Sequence, residues 1–232
     1  HTLGFEYDGE TYIQSEHTDV YLEKAKELID KGEAYYCHCT RAMRKQEPCH
    51  CKELHLQQTE NTNYALNYEV HDVCNNTFED ELLGKVHCEY KTHELTLIRT
   101  DRVISYNLGC VVDDILEGVT EIVRGADLID ITPAQLSLYS SFNKNAPRYL
   151  HLPLIMQDSE RKLSKQNHSP AVLDLASPQK LLITGLKFLN QETEDLNEDM
   201  SVYKILSKAV DRFCIENISK RPLLMIKLQH SQ

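Results

Sequence analysis

The sequence predicts an α/β fold, and three observations predict it. Thr120 to Arg124 is rich in β-branched residues and is closed by Gly125, so it reads as a strand. Thr132-Pro133-Ala134-Gln135 carries a cap residue, a proline at the first helical position and a glutamine three residues after the cap. That is a capping box, and it predicts a helix to about Phe142. Tyr149 to Ile155 then alternates, with Leu150, Leu152 and Leu154 on one face and Pro153 marking an edge or a strand end. Strand, helix and strand in this order make a parallel βαβ unit.

The flanking elements follow from periodicity. Thr18 or Asp19 is the expected cap of a helix running to about Lys31, with Tyr21, Ala25, Leu28 and Ile29 on one face and Gly32 as its stop. Gln57 to Thr77 is polar and unpatterned, rich in Asn, Gln and Thr, and reads as loop or weak sheet. Val86, Cys88 and Tyr90 alternate as a strand does, and Leu95 and Leu97 suggest another. Ser177-Pro178 opens a helix; Val202, Ile205, Leu206, Ala209, Val210 and Phe213 mark a further one. No internal repeat and no long Gly/Ser/Pro linker is visible.

Composition narrows the function classes. Of 232 residues, 41% are hydrophobic and 26% charged, which is a globular and not a disordered balance. No apolar run approaches the ~18 residues of a membrane span. The net charge of −11 excludes a uniformly basic nucleic-acid coat, though not a local basic groove. The chain opens on His1 with no basic-flanked apolar leader, so it is expected to be a segment of a longer polypeptide starting mid-domain.

Three segments carry chemistry. Cys37, Cys39, Cys49 and Cys51 fall within fifteen residues, while Cys74, Cys88, Cys110 and Cys214 are scattered. Two Cys-x-Cys pairs complete a tetrahedral set for a structural zinc ion in a reducing compartment. His38, His50 and His55 stand near enough in sequence to replace one of them, and free buried thiols are the competing reading. Lys162-Leu163-Ser164-Lys165-Gln166 puts two cations around a serine, suited to a triphosphate. Alone, K-x-S-K is a weak motif, and such residues more often form a solvated basic turn. Tyr106 precedes Asp113 and Asp114, and Arg124 stands at the end of a predicted strand. The carboxyl ends of strands line ligand crevices in α/β sheets, and a guanidinium there suits a carboxylate. The competing reading is a set of ion pairs among Asp113, Asp114 and Arg124.

In combination these motifs resemble a known family. Tyr106, Val-Val-Asp113-Asp114, Gly118-x-Thr120, Val123-Arg124-Gly125-x-Asp127, Thr132-Pro133-x-Gln135-x-x-Leu138-Tyr139 and Lys162-Leu163-Ser164-Lys165 resemble the glutamyl-tRNA synthetase catalytic domain. The likeness is to its second half, and it runs from about Leu3 to Phe213. Within this class I group, Gln166-Asn167-His168 and the Cys-x-Cys cluster are similar to the glutamyl-Q tRNA(Asp) synthetase branch. The resemblance implies the second half of a Rossmann-type catalytic domain, with a zinc-binding insertion and a C-terminal helical region. It divides the chain into the end of a first Rossmann half (1–35), a zinc-binding and acceptor-binding-like insertion (36–100), a second half with the KLSKQ loop (101–170) and a helical region (171–232).

The implied activity is ATP-dependent activation of L-glutamate and its transfer to the queuosine base of tRNA(Asp), with Mg2+ accompanying ATP. The implied protein is a cytoplasmic monomer. Tyr106 and Arg124 match glutamate-binding positions, and Lys165, with Lys162 and Ser164 beside it, matches the ATP-contacting signature loop. Cys37, Cys39 and Cys51 match zinc ligands; Cys49 stands where the family commonly has a tyrosine. No segment matches the family's first signature loop, of the H-I-G-H type. Residues 1–232 alone are therefore expected to be inactive. Two alternatives are a glutamyl-tRNA synthetase domain that charges a tRNA 3′ end and a non-catalytic, zinc-stabilised RNA-binding module.

Overall fold

The computed structural model describes residues 2–71, 74–89, 93–156, 172–221 and 223–225. Lys162, Ser164 and Lys165 lie outside the described residues, as does Tyr90.

The first helix, α1 (Thr18–Asp30), buries Tyr21, Ala25 and Leu28 on the expected face and stops at Gly32, where φ is +72°. Its start differs from the expected one. His17 occupies the cap position with no side-chain hydrogen bond, and Thr18 donates back to the Ser15 carbonyl at 3.3 Å. A 3-10 turn at Gln14–Glu16 already feeds the chain into the helix, so no side-chain cap is needed. A short strand β1 (Ala34–Cys37) and a six-residue helix α2 (Arg41–Gln46) then carry the cysteine segment.

The polar stretch expected to be loop or weak sheet holds a central strand. β2 (Ala65–Glu69) lies between β1 and β5 (Glu94–Ile98) in an antiparallel three-stranded sheet. Leu66, Asn67 and Tyr68 are all buried. The burial is compatible with polar residues because each has a partner: Asn67 accepts from Thr96 Oγ1 at 3.0 Å, and the Tyr68 hydroxyl meets Ser137 and Ser141 at 2.6 and 2.8 Å.

Strands β3 (Thr77–Asp80) and β4 (Gly84–His87) form an antiparallel hairpin. Helix α3 (Tyr106–Glu117) is capped by Ser105 and ends at Gly118 in a left-handed conformation. β6 (Glu121–Gly125), α4 (Thr132–Ser141) and β7 (Arg148–Leu152) follow, with β6 and β7 parallel and α4 between them in sequence. This is the expected βαβ unit. The four-stranded sheet has the order β4-β3-β7-β6, so β7 is internal and Tyr149, Leu150 and His151 are buried. Pro153 ends β7, and β8 (Leu154–Met156) continues on its far side, pairing with β9 (Leu223–Met225). One core cluster joins α1, α3 and α4 to the three-stranded sheet through Leu28, Leu66, Leu97, Leu108, Val112 and Leu138.

The expected capping box is absent. α4 starts at Thr132 with Ile131 in the cap position, so Thr132 is one residue too far in to cap it. Its hydroxyl and the Gln135 amide face Arg124 instead.

After the four-residue helix α5 (Val172–Leu175), α6 (Pro178–Phe188) and α7 (Val202–Arg212) are capped by Ser177 and Ser201. α7 buries Ile205 and Ala209 but leaves Val210 exposed, narrower than the stripe the periodicity predicted.

Two glycines should respond in opposite senses. Gly118 has φ +68° at a helix end, so Gly118→Ala should destabilise the fold by about 1 kcal/mol. Gly185 lies inside α6 with nothing within 4 Å of a built Cβ, so Gly185→Ala should stabilise it by up to about 1 kcal/mol. Denaturant melts of the two variants against the parent check both signs.

Candidate functional site

Two separate constellations emerge. The first is the cysteine cluster. β1 delivers Cys37 at its end, α2 turns the chain, and Cys49 and Cys51 return to it. The sulfurs of Cys37 and Cys49 are 3.7 Å apart, Cys39 and Cys49 3.7 Å, and Cys39 and Cys51 3.5 Å. A tetrahedral zinc with Zn–S bonds of ~2.3 Å sets its sulfurs ~3.8 Å apart. All four lie within 4.8 Å of one another, so the donor set fits a closed four-thiolate site. His38, His50 and His55 are exposed and stay outside the cluster.

The thiols' proton affinities follow from their crowding. Burial pushes Cys37 up; it also leads in raising Cys39, to about 12, with thiols of the same group adding to it. Burial acts upward on Cys49 too, but hydrogen bonds from the Cys51 backbone and the neighbouring thiols hold it below the ordinary thiol value. A bound cation displaces these protons, which is why such sites bind metal more tightly as pH rises.

Arg44 fastens the cluster to the sheet. Its Nη2 donates to Cys37 Sγ at 3.1 Å, and its Nη1 pairs with Glu94 on β5. Glu94 also accepts from the Tyr35 hydroxyl at 2.6 Å. An N–H donated to a metal-bound thiolate disperses its charge and orients it. The sequence pointed to the four cysteines but not to this support.

The second constellation surrounds Arg124 at the carboxyl end of β6. Its Nε donates to His151 Nε2 at 3.0 Å and its Nη1 to Gln135 Oε1 at 2.7 Å. Its Nη2 donates to Thr132 Oγ1 at 2.7 Å and to the Leu128 carbonyl at 3.4 Å. The guanidinium carbon stands 4.8 Å from the centre of the Tyr149 ring. Every one of these partners is neutral. The expected ion-pair alternative is not formed: Asp113 accepts from Tyr21 at 2.7 Å and Gln14 at 2.5 Å, and Asp114 accepts from Tyr139 at 2.9 Å. Among the described residues no carboxylate is hydrogen-bonded to this cation, and its neutral acceptors hold it in one orientation.

Tyr106 belongs to the same neighbourhood. Its side chain is more than half exposed; partial desolvation raises its phenol above the ordinary value and the Cys110 thiol adds to that, while the charge and hydrogen bond of Arg124 oppose. Gln135 links the two sides, donating to Asn107 Oδ1 at 3.0 Å and Cys110 Sγ at 3.4 Å. Gly125 permits the close turn after Arg124, because a Cβ there would stand 2.6 Å from Asp127 Oδ1.

Thr132, Gln135 and His151 are the residues that sequence reasoning missed. The signal for His151 was a lone histidine inside a leucine-rich strand. For Thr132 and Gln135 the signal was present and was read as a cap.

The family of class I tRNA synthetases (E and Q), catalytic domain, matches residues 1–210. The chain belongs to this family. A relative from Escherichia coli (strain K12), named glutamyl-Q tRNA(Asp) synthetase, is 41% identical; the match covers 89% of this chain and 68% of the relative. One of the same name from Shigella flexneri is 38% identical, over 95% of this chain and 72% of its own length. The crystal structure of glutamate-tRNA synthetase from Elizabethkingia anophelis superposes with a TM-score of 0.72 at 17% identity, covering 98% of this chain and 56% of that one. A glutamate tRNA ligase from Elizabethkingia meningosepticum, solved in complex with its amino acid, gives 0.66 at 17% identity, covering 91% and 51%. The chain thus spans about half the length of those two structures, and the likeness to them concerns the fold. Among the described residues no helix is long and apolar enough to cross a membrane.

Metal analysis of the purified protein should return one zinc per chain. Cys37→Ser should lower it and loosen residues 36–55, measured by amide hydrogen exchange, while β6 and β7 keep their protection, because the ion closes only the local loop. Far less than one zinc in the parent would contradict the four-thiolate reading.

Proposed function

We propose that this protein activates L-glutamate with ATP and transfers the glutamyl group to the queuosine base of tRNA(Asp). The observation that carries the amino-acid side of this reading is the Arg124 guanidinium, held by four neutral acceptors and, among the described residues, by no hydrogen-bonded carboxylate. A cation fixed by neutral acceptors at the carboxyl end of a parallel strand is a receptor for an anionic side chain. Tyr106, across the same space, lines the pocket for the amino acid. The tRNA side rests on the two relatives' names and on their identity to this chain.

The reaction has two steps. The α-carboxylate of glutamate attacks the α-phosphate of ATP, and pyrophosphate leaves. A hydroxyl of queuosine then attacks the acyl-adenylate, and AMP leaves. No covalent bond to the enzyme is needed, so the protein acts by positioning and charge. Lys165, with Lys162 and Ser164 in the same sequence motif, is assigned to ATP; Mg2+ accompanies the triphosphate. Zinc at Cys37, Cys39, Cys49 and Cys51 is structural, since four thiolates leave no open position for substrate. On this reading residues 36–100 are an insertion and residues 101–170 the second half of the Rossmann-type core. The enzyme works as a monomer in the cytoplasm.

The test is transfer of radiolabelled glutamate in the natural full-length protein. tRNA(Asp) carrying queuosine should be labelled even after periodate oxidation of its 3′ end, and tRNA(Asp) with unmodified guanosine should not. Label abolished by the oxidation would instead assign the enzyme to 3′-end charging.

A further inference from the structure

The long side chain of Arg124 is held in one orientation by a relay of contacts across the four-stranded sheet. Asp80 ends β3, His151 lies near the end of β7, and Arg124 near the end of β6. The parallel register sets Arg124 directly opposite His151. Asp80 Oδ2 accepts from His151 Nδ1 at 2.7 Å and from the His151 backbone N–H at 3.0 Å. Its Oδ1 accepts from the backbone N–H groups of Leu82 and Leu83 at 3.0 and 2.8 Å. Both side chains are fully buried.

Only one arrangement of protons satisfies these contacts. Three backbone N–H groups, of Leu82, Leu83 and His151, already donate to the Asp80 carboxylate, and His151 Nδ1 faces the same oxygen as a fourth partner. The His151 proton must then sit on Nδ1, which leaves a lone pair on Nε2. Arg124 is always protonated and its Nε only donates, so Nε2 is its acceptor. Burial first, and then the Arg124 charge, lower the proton affinity of the imidazole against the pull of Asp80 and Asp127. Aromatic walls fix the ring: Tyr149 stacks on it with centroids 5.9 Å apart, and Phe78 meets it edge-on at 5.8 Å.

We infer that Asp80 and His151 are positioning residues for substrate recognition: Asp80 fixes the tautomer of His151, and His151 Nε2 fixes the orientation of Arg124 toward the carboxylate of the amino-acid substrate. This rests on the reading of Arg124 as the glutamate receptor. His151 touches no substrate and moves no proton. Its effect is on how much of the guanidinium's binding is realised, so it should act on glutamate and not on ATP.

Two side chains separate positioning from mere packing. Asparagine at 151 retains a donor at the δ position for Asp80 but is too short to reach Arg124. Glutamine places an amide oxygen near the position of Nε2 and restores an acceptor. In pyrophosphate exchange by the full-length protein, His151→Asn should raise the glutamate KM about 10-fold, the scale of one hydrogen bond to a charged group, with the ATP KM and kcat nearly unchanged. His151→Gln should return the glutamate KM to within about threefold of the parent. Independently of activity, 15N spectra of the parent should show His151 as the Nδ1–H tautomer. Arg124→Ala is the parallel control and should raise the glutamate KM at least as much as His151→Asn.

A native glutamate KM in His151→Asn, with Arg124→Ala impaired, would overturn the inference and leave the receptor reading standing. Equal losses in the Asn and Gln variants, with the ATP KM moved as well, would assign His151 to packing alone. An Nε2–H tautomer would overturn it without any kinetics. A native glutamate KM in Arg124→Ala would overturn the receptor reading beneath it.

Discussion

A guanidinium brought into a protein interior without a carboxylate must find neutral acceptors for its donors, and this requirement on Arg124 organises the centre of the molecule. The four acceptors come from three elements. The parallel register of β6 and β7 supplies His151, the first turn of α4 supplies Thr132 and Gln135, and the 3-10 turn after β6 supplies the Leu128 carbonyl. The crossover helix is therefore more than a connection. Its first turn is a wall of the site, and Gln135 extends that wall to Asn107 and Cys110 on α3. A change at any of these positions leaves a buried polar group unpaired, which costs more than the net worth of the bond it made.

The cysteine cluster obeys a different constraint. Residues 38–64 contain only one short helix and no strand, so little regular hydrogen bonding orders them. Four thiols converging at metal-ligand separations give that segment a fixed point, and Arg44 relays it through Glu94 to the antiparallel sheet. The exposed ion pairs elsewhere, such as Arg148 with Glu81 and Glu121, contribute far less by comparison, because solvent screens them. The two constellations are thus independent in chemistry, and a change in one should be felt weakly in the other.

The legibility of these features in the sequence followed their physics. α1 and β6 were readable because an apolar stripe or a β-branched run ends at glycine, and β7 because it alternates, whereas α3 was not among the predicted elements. β2 was hidden because its burial is satisfied by polar partners far away in sequence, such as Ser137 for Tyr68, and alternation of hydrophobicity carries no record of them. Thr132 and Gln135 were misread for a related reason. The residue types that cap a helix are also those that hold a guanidinium, and spacing alone does not separate the two uses. Arg124, Tyr106 and the four cysteines were legible as candidates, from strand-end position and clustering; the neutrality of the Arg124 shell was not, because it depends on where Asp113 and Asp114 turn.

The central claim is that the Arg124 charge selects an anionic amino acid, and discrimination between glutamate and glutamine tests it most directly. The two differ by one charge at nearly constant shape, so the ratio of their kcat/KM values in adenylate formation isolates the guanidinium's contribution. The parent should favour glutamate strongly. In Arg124→Ala the preference should shrink by a factor of roughly 10 to 150, matching the loss of a charge-assisted contact of about 1.5–3 kcal/mol. An Arg124→Ala enzyme that activates glutamate and keeps the parent's ratio would contradict the account.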